Sequence, residues 1–301
     1  MKRKALIIGS TAVDVIIEID SIPKTGDDIN TKSQVLKVGG CAYNVASMLA
    51  YLSKDFDLLS PVGMGYYGDF INKTIVQNGF STPLNRVEED NGCCYCFVEK
   101  NGERSFVCHR GAEYVFHYKF FKNINPMDYD IIYFCGLDIT TNSKDPIIRF
   151  LENSRKTYDL KNQTIFFAPG PQIASMPKAT LEQIFALKPI IHLSESEYGT
   201  LTDAFGSAED ILKMTKSPLI ITRGEDGATL ITMTNNCIDE VHIPAQPVKN
   251  IVDTIGAGDA HVGTVIACML DGKSLSESIL FANTMAAKVI AVRGSTLLKQ
   301  E

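Results

Sequence analysis

The stretch Asp253-Thr254-Ile255-Gly256-Ala257-Gly258-Asp259-Ala260 sets a compact glycine-rich turn between two aspartates and runs directly into an apolar segment. In that segment Val262, Val265, Ile266, Met269 and Leu270 recur at the i, i+3, i+4, i+7, i+8 spacing of one helix face. The spacing predicts a helix beginning near residues 257–259, whose first backbone N–H groups lack intrahelical partners. Those groups and the positive end of the helix dipole form an anion site, and small residues let a phosphate approach the main chain closely. Asp259 is then either a helix cap or a catalytic carboxylate. Two glycines around Ala257, with acids at both ends, exceed what a cap requires and favour catalysis.

Working outward, strand-like apolar runs occur at Ala5–Ile8, Asp57–Pro61, Ile131–Phe134, Thr164–Phe167, Ile190–Leu193 and Leu219–Thr222. Helical patterns lie between many of them, notably Val45, Met48, Leu49 and Leu52 after Gly39-Gly40. Such alternation predicts an α/β fold with a doubly wound, mainly parallel sheet, whose ligands bind beyond the carboxyl ends of the strands. Segments near 13–38 and 92–110 break the alternation. They are extended and turn-rich, with an Asn101-Gly102 hairpin signal, and predict a small β-sheet lid on one 301-residue domain.

Composition excludes several classes. With 29 Lys+Arg against 35 Asp+Glu the net charge is -6, and no basic tract is present, which argues against nucleic acid as a partner. No run of eighteen apolar residues predicts a membrane span. Asp14 and Glu18 interrupt the apolar start, so it reads as a buried strand of a cytoplasmic protein, not a signal peptide. Eight cysteines are too dilute for a disulfide scaffold. Cys93, Cys94, Cys96, Cys108 and His109 invite a zinc reading, but positions 93 and 96 of a strand face opposite ways.

Two motifs mislead when taken alone. Gly63-Met64-Gly65-Tyr66-Tyr67-Gly68 fits the dinucleotide pattern, although Tyr66-Tyr67 is bulky for a pyrophosphate. Gly272-Lys273-Ser274 resembles the tail of a P-loop, but follows a helix and lacks the first glycine.

Gly39-Gly40-Cys41-Ala42-Tyr43-Asn44-Val45-Ala46 and Asp253–Ala260 together resemble the two signatures of the ribokinase-like (PfkB) carbohydrate kinase family. Val62-Gly63 to Gly68-Asp69 is similar to that family's V-G-x-D-x-x-G turn, with Gly65 replacing the acid, and Thr222-Arg223-Gly224-Glu225-Asp226-Gly227 to its nucleotide segment. The resemblance spans essentially the whole chain. It implies transfer of the ATP γ-phosphoryl group to a hydroxyl of a sugar, ribokinase or fructokinase type, or of a nucleoside. A sugar acid and a non-catalytic binding protein are further alternatives.

On that resemblance Asp259 is the base, and the N–H groups of Gly256, Ala257 and Gly258 stabilise the transferring oxygens. Asp14, Gly39, Gly40, Asn44 and Arg110 fall to the acceptor, although Asn44 would equally serve as a helix cap and Arg110 as a solvated arginine. Thr222, Gly224, Gly227 and Asn283 fall to the nucleotide. Glu197 resembles the acid that organises Mg2+ through water, with Ser194 in place of the usual asparagine. Asp253 resembles a position that holds a monovalent cation such as K+ or organises the loop, and Ala291, Val292, Gly294 and Ser295 resemble a carbonyl cation site. For His261 a neutral helix histidine is expected. Tyr95, Phe97 and Phe106 are candidate base stackers. Exposed lid strands suit a homodimer.

Overall fold

The computed structural model describes residues 3–84, 86–139 and 145–298. Strands β1 (Lys4–Ile8), β2 (Ala12–Glu18) and β3 (Ser33–Gly39) precede helix α1 (Cys41–Tyr51), β4 (Asp55–Leu59) and α2 (Tyr66–Gln77). A hairpin of β5 (Cys93–Val98) and β6 (Arg104–His109) follows, then β7 (Ile131–Cys135), α3 (Pro146–Thr157), β8 (Thr164–Ala168) and α4 (Lys178–Ala186). The remaining elements are β9 (Ile190–Ser194), α5 (Glu195–Phe205), α6 (Ala208–Thr215), β10 (Leu219–Thr222), β11 (Ala228–Thr234), β12 (Cys237–Ile243), α7 (Ala257–Leu270) and α8 (Leu275–Ile290).

The larger sheet has the order β12-β11-β10-β9-β8-β7-β1-β4. The strands from β10 to β4 run parallel, while β11 and β12 close the far edge antiparallel. Its inner strands β1, β7, β8, β9 and β10 are largely apolar because both faces are covered, whereas the edge strand β12 is mostly exposed. Along β1, Ala5 and Ile7 enter the core under α1, α2, α7 and α8, whereas Leu6 and Ile8 enter a second core under α3 to α6. The chain leaves β1 for β4 on one side and returns to β7 on the other, so the direction of winding switches between β1 and β7. The crevice at such a switch is where this architecture binds ligands.

The second sheet, β3-β2-β5-β6, is the lid, and the segments expected at 13–38 and 92–110 supply it. Pairing of β2 with β5 is parallel, so the lid is mixed. The β5–β6 turn uses Gly102 at φ 89°, a left-handed conformation that favours glycine. At the base of the lid the buried Glu113 carboxylate accepts from Gly92 N at 2.8 Å, Asn91 Nδ2 at 3.1 Å and Gly111 N at 3.0 Å. This carboxylate fixes where the hairpin leaves the body.

Both misleading motifs have structural explanations. In the 63–68 turn, a Cβ on Gly68 would lie 1.9 Å from Gly63 O, and one on Gly63 would lie 2.0 Å from Glu89 O. The glycines therefore serve chain crossings. Gly65 is required because the Asp90 carboxylate occupies the space its side chain would fill. Ser274, at the P-loop-like site, caps α8 through a reciprocal box with Glu277. The β11–β12 hairpin was not among the expected strands; its Asn235-Asn236 turn has both residues at positive φ, 52° and 63°.

Candidate active site

Helix α7 begins at Ala257, and Gly256 before it adopts φ 76°. A Cβ at Gly256 would meet Ser295 O at 2.6 Å, so the turn needs glycine for both conformation and space. The first turn of α7 then presents its N–H groups outward; Ala257 N makes only a long 3.4 Å contact, to Thr254 O. Asp259 lies in this turn and forms no cap hydrogen bond.

Helix α1 starts after Gly40 at φ 96°, and Asn44 sits inside it, so Asn44 is not a cap. Its Nδ2 donates to Asp259 Oδ2 at 2.8 Å, and its Oδ1 accepts from Ser295 Oγ at 2.8 Å. The close approach of α1 and α7 depends on Gly263, whose added Cβ would lie 3.0 Å from Met48 Cβ and 3.1 Å from Val45 O. Two helix starts thereby converge on one point. Burial pushes Asp259 up to about 6, against the opposing hydrogen bonds from Asn44 and the Cys41 thiol and with Glu197 adding negative charge.

The convergence opens into a cavity of about 260 Å³ between lid and body. Asp14, Lys37, Cys94, Cys96, Arg104 and Phe106 line it from the lid; Gly40, Cys41, Asn44, Gly256 and Asp259 line it from the body. Asp14 is pushed up to about 6 by burial and then by the charge of Asp253. Gly39 acts behind the wall: its added Cβ would lie 2.2 Å from Asp14 Oδ2, so glycine makes room for the carboxylate. Asp138, buried just beyond β7, was not foreseen; burial pushes it up to about 8, with nearby Ser10 opposing the rise.

Asp253 is held three ways. Oδ1 accepts from Arg104 Nη1 at 2.6 Å and Ile255 N at 3.0 Å, and Oδ2 accepts from Gly294 N at 3.0 Å. Burial would raise this carboxyl, but those donors outweigh it and hold it below the usual carboxylate range. The structure therefore brings Arg104, not Arg110, to the cavity. Arg110 is exposed and its guanidinium stacks 5.0 Å over the Tyr114 ring. Alternation along β6 puts Arg104, Phe106 and Cys108 on one face, and that period was the signal for Arg104.

Beyond the carboxyl ends of β9 and β10, Thr222 lies opposite Ser194 and donates its hydroxyl to Leu193 O at 3.2 Å. Gly224 and Gly227 take φ 59° and 92°, and a Cβ on Gly227 would meet Ile243 O at 2.2 Å. Ser194 and Glu197 form a capping box on α5, with Ser194 N donating to Glu197 Oε2 at 2.8 Å. That bond engages one Glu197 oxygen. Among the described residues no cluster of three His, Cys, Asp or Glu could hold a metal by itself.

Asn283 does not offer its amide to a nucleotide. Its Nδ2 donates to Ile243 O at 3.1 Å and Pro244 O at 2.9 Å. Its Oδ1 faces His261 Nε2 at 3.2 Å, and His261 Nδ1 faces His192 Nε2 at 2.8 Å. Burial depresses both imidazoles, His261 to about 4, a direction that favours the neutral form.

Comparison with known proteins bears directly on this geometry. The profile described as "pfkB family carbohydrate kinase" matches residues 2–301. The chain belongs to that family. It is an ATP-dependent carbohydrate kinase of the sugar and nucleoside class. The kinase is 30% identical over 301 residues to the uncharacterized sugar kinase YegV of Escherichia coli, covering 97% of this chain and 90% of that one. In fold it is similar to Arabidopsis thaliana ribokinase complexed with ribose and ATP, with TM-score 0.77, 20% identity and coverage of 98% and 95%. It is equally similar to Burkholderia thailandensis nucleoside kinase in complex with inosine, with TM-score 0.77, 22% identity and coverage of 97% and 93%. No helix among the described residues of the kinase is long and apolar enough to cross a membrane.

Proposed function

We propose that the kinase, as one domain carrying its lid, transfers the γ-phosphoryl group of ATP to a hydroxyl of a small sugar, ribokinase or fructokinase type. The observation that carries this reading is Asp259, fixed by Asn44 at the first turn of α7 and facing the cavity that Asp14 lines from the opposite side. A carboxylate near 6 is ionised at neutral pH and still basic enough to take a hydroxyl proton. The acceptor hydroxyls bond Asp14, and the oxygen to be phosphorylated points at Asp259. As that oxygen attacks, Asp259 takes its proton, and the N–H groups of Gly256, Ala257 and Gly258 neutralise the charge on the transferred group.

Thr222, Gly224 and Gly227 cradle the nucleotide along the ends of β9 and β10, where glycine lets the backbone come close. Mg2+ would enter with the phosphates and be steadied through water by the free Glu197 oxygen, supplying charge neutralisation. Asp253 suits a loop-organising role better than a K+ site, because Arg104 already neutralises it. The outer lid strands carry the exposed Val35 and Val107, which suits lid-to-lid pairing in a homodimer.

A nucleoside acceptor is the second reading. Phe106, half exposed on the cavity wall, could stack a base, whereas Tyr95 and Phe97 pack toward the core. ATP consumption across a panel of sugars and nucleosides, with Asp259→Asn as control, tests both. Phe106→Ala should weaken nucleosides and spare simple sugars. Turnover that survives Asp259→Asn would remove Asp259 from the mechanism.

A further inference from the structure

Beyond phosphoryl transfer, the lid carries a pair of thiols placed for chemistry of their own. Cys94 in β5 is directly opposite Cys108 in β6, and their sulfurs lie 3.1 Å apart. Facing residues of an antiparallel pair have Cβ atoms about 4.5–5.5 Å apart, and a disulfide spans about 3.5–4.5 Å, so a small adjustment of two side chains closes the bond. The two thiols differ in access. Cys108 is exposed, whereas Cys94 is half-buried and forms part of the acceptor cavity wall beside its β2 neighbour Asp14. All eight cysteines are free thiols, and no other facing pair in the hairpin holds two cysteines.

We propose that Cys94 and Cys108 form a reversible modification site, a cross-strand disulfide made by hydroperoxides and opened by dithiol reductants, that changes the acceptor cavity. The Cys108 thiolate attacks the terminal peroxide oxygen. The O–O bond breaks, water or an alcohol leaves after taking a proton, and Cys108 becomes a sulfenic acid. The Cys94 sulfur then attacks the Cys108 sulfur, the S–O bond breaks, and a second water leaves with the thiol proton. The two thiols lose two electrons, and the peroxide gains them. Cys108 goes first because peroxide reaches it from solvent and because burial, then Cys108 itself, raises the Cys94 thiol. A dithiol reverses the reaction by thiol–disulfide exchange. The disulfide turns Cys94 from the cavity toward the rim and removes a thiol donor next to Asp14.

The test uses the whole reduced kinase, limiting hydrogen peroxide, and mass mapping after alkylation. The expected product is a loss of two hydrogens located to a Cys94–Cys108 linked peptide, restored by dithiothreitol and absent in Cys108→Ser. The oxidised kinase should show an acceptor KM raised by about threefold or more with the ATP KM unchanged, and Cys108→Ser should abolish that response. The kinetic measurement rests on the acceptor reading above; the mass measurement does not, so the two ideas fail separately. Continued alkylation of both cysteines after peroxide, or linkage of Cys108 to a second molecule, would overturn the proposal. An unchanged acceptor KM in the linked protein would overturn its effect on the cavity.

Discussion

Asn44 donates its amide to the Asp259 carboxylate across 2.8 Å, although 215 residues separate them in the chain. The same amide accepts from Ser295, so one side chain on α1 aligns the first turn of α7 with the C-terminal segment. Burial raises Asp259, and this bond, which favours the ionised carboxylate, opposes that rise.

Replacing Asn44 should therefore move a titration. With Asp259 near 6, kcat/KM should fall as pH drops through about 6, with Asp14 titrating in the same range. Asn44→Ala removes a bond that lowers Asp259, so the acid limb should shift to higher pH. A pH–rate profile of the variant with an unmoved acid limb would contradict this.

Asp259→Asn should lower kcat by about 10²–10⁴-fold, the usual contribution of a positioned base. It should also stabilise the fold at neutral pH. The folded carboxyl sits near 6 against an ordinary 3.8. Below the lower value both states are protonated and nothing is lost; from there up to about 6 the folded state loses stability, and above 6 the penalty is complete. Discounted for the opening to the cavity, relief should be about 1–2 kcal/mol at pH 7, vanishing near pH 4. Thermal melts at the two pH values measure it.

Arg104→Gln should loosen the turn by breaking the ion pair to Asp253. The arginine is only partly exposed, which puts the cost at about 1–3 kcal/mol, between exposed and buried pairs. We expect kcat to fall about tenfold as the N–H groups of the turn lose alignment. Rescue of the variant by K+, but not by Li+, would instead give Asp253 a cation-holding role.

Gly263→Val should push α1 from α7 and lengthen the Asn44–Asp259 contact. Overpacking of this kind costs about 1–3 kcal/mol, and activity should drop more than stability alone predicts. A variant that melts lower yet keeps full kcat would show that the helix crossing does not set the base.

Much of this was legible in the chain. Most of the six parallel strands are legible because burial on two faces makes them continuous apolar runs, as in Ala5–Ile8, although β4 carries Asp55 and Asp57. The lid was legible through Asn101-Gly102. The β11–β12 hairpin was harder to find, since its outer strand is mostly exposed and its turn is Asn-Asn without glycine. The motif Gly39 to Asn44 pointed to the right place, yet the bond from Asn44 to Asp259 depends on a helix crossing that no local pattern encodes. Arg104 gives no local motif that marks it for the cavity; the pleat of β6 decides that it, and not Arg110, enters.

The buried imidazoles behind α7 have an ordering that follows from one amide. Asn283 spends both its hydrogens on backbone carbonyls, so its oxygen can only accept. His261 must then carry its hydrogen on Nε2, leaving Nδ1 bare, and His192 must carry its own on Nε2. Every hydrogen along the row points the same way, from the sheet toward α8. The row ends on an amide oxygen whose own hydrogens are committed to two carbonyls, so a proton has no way out at that end. The row is a rigid strut with a fixed polarity, and nitrogen-15 shifts of the two rings should report a single tautomer for each at neutral pH.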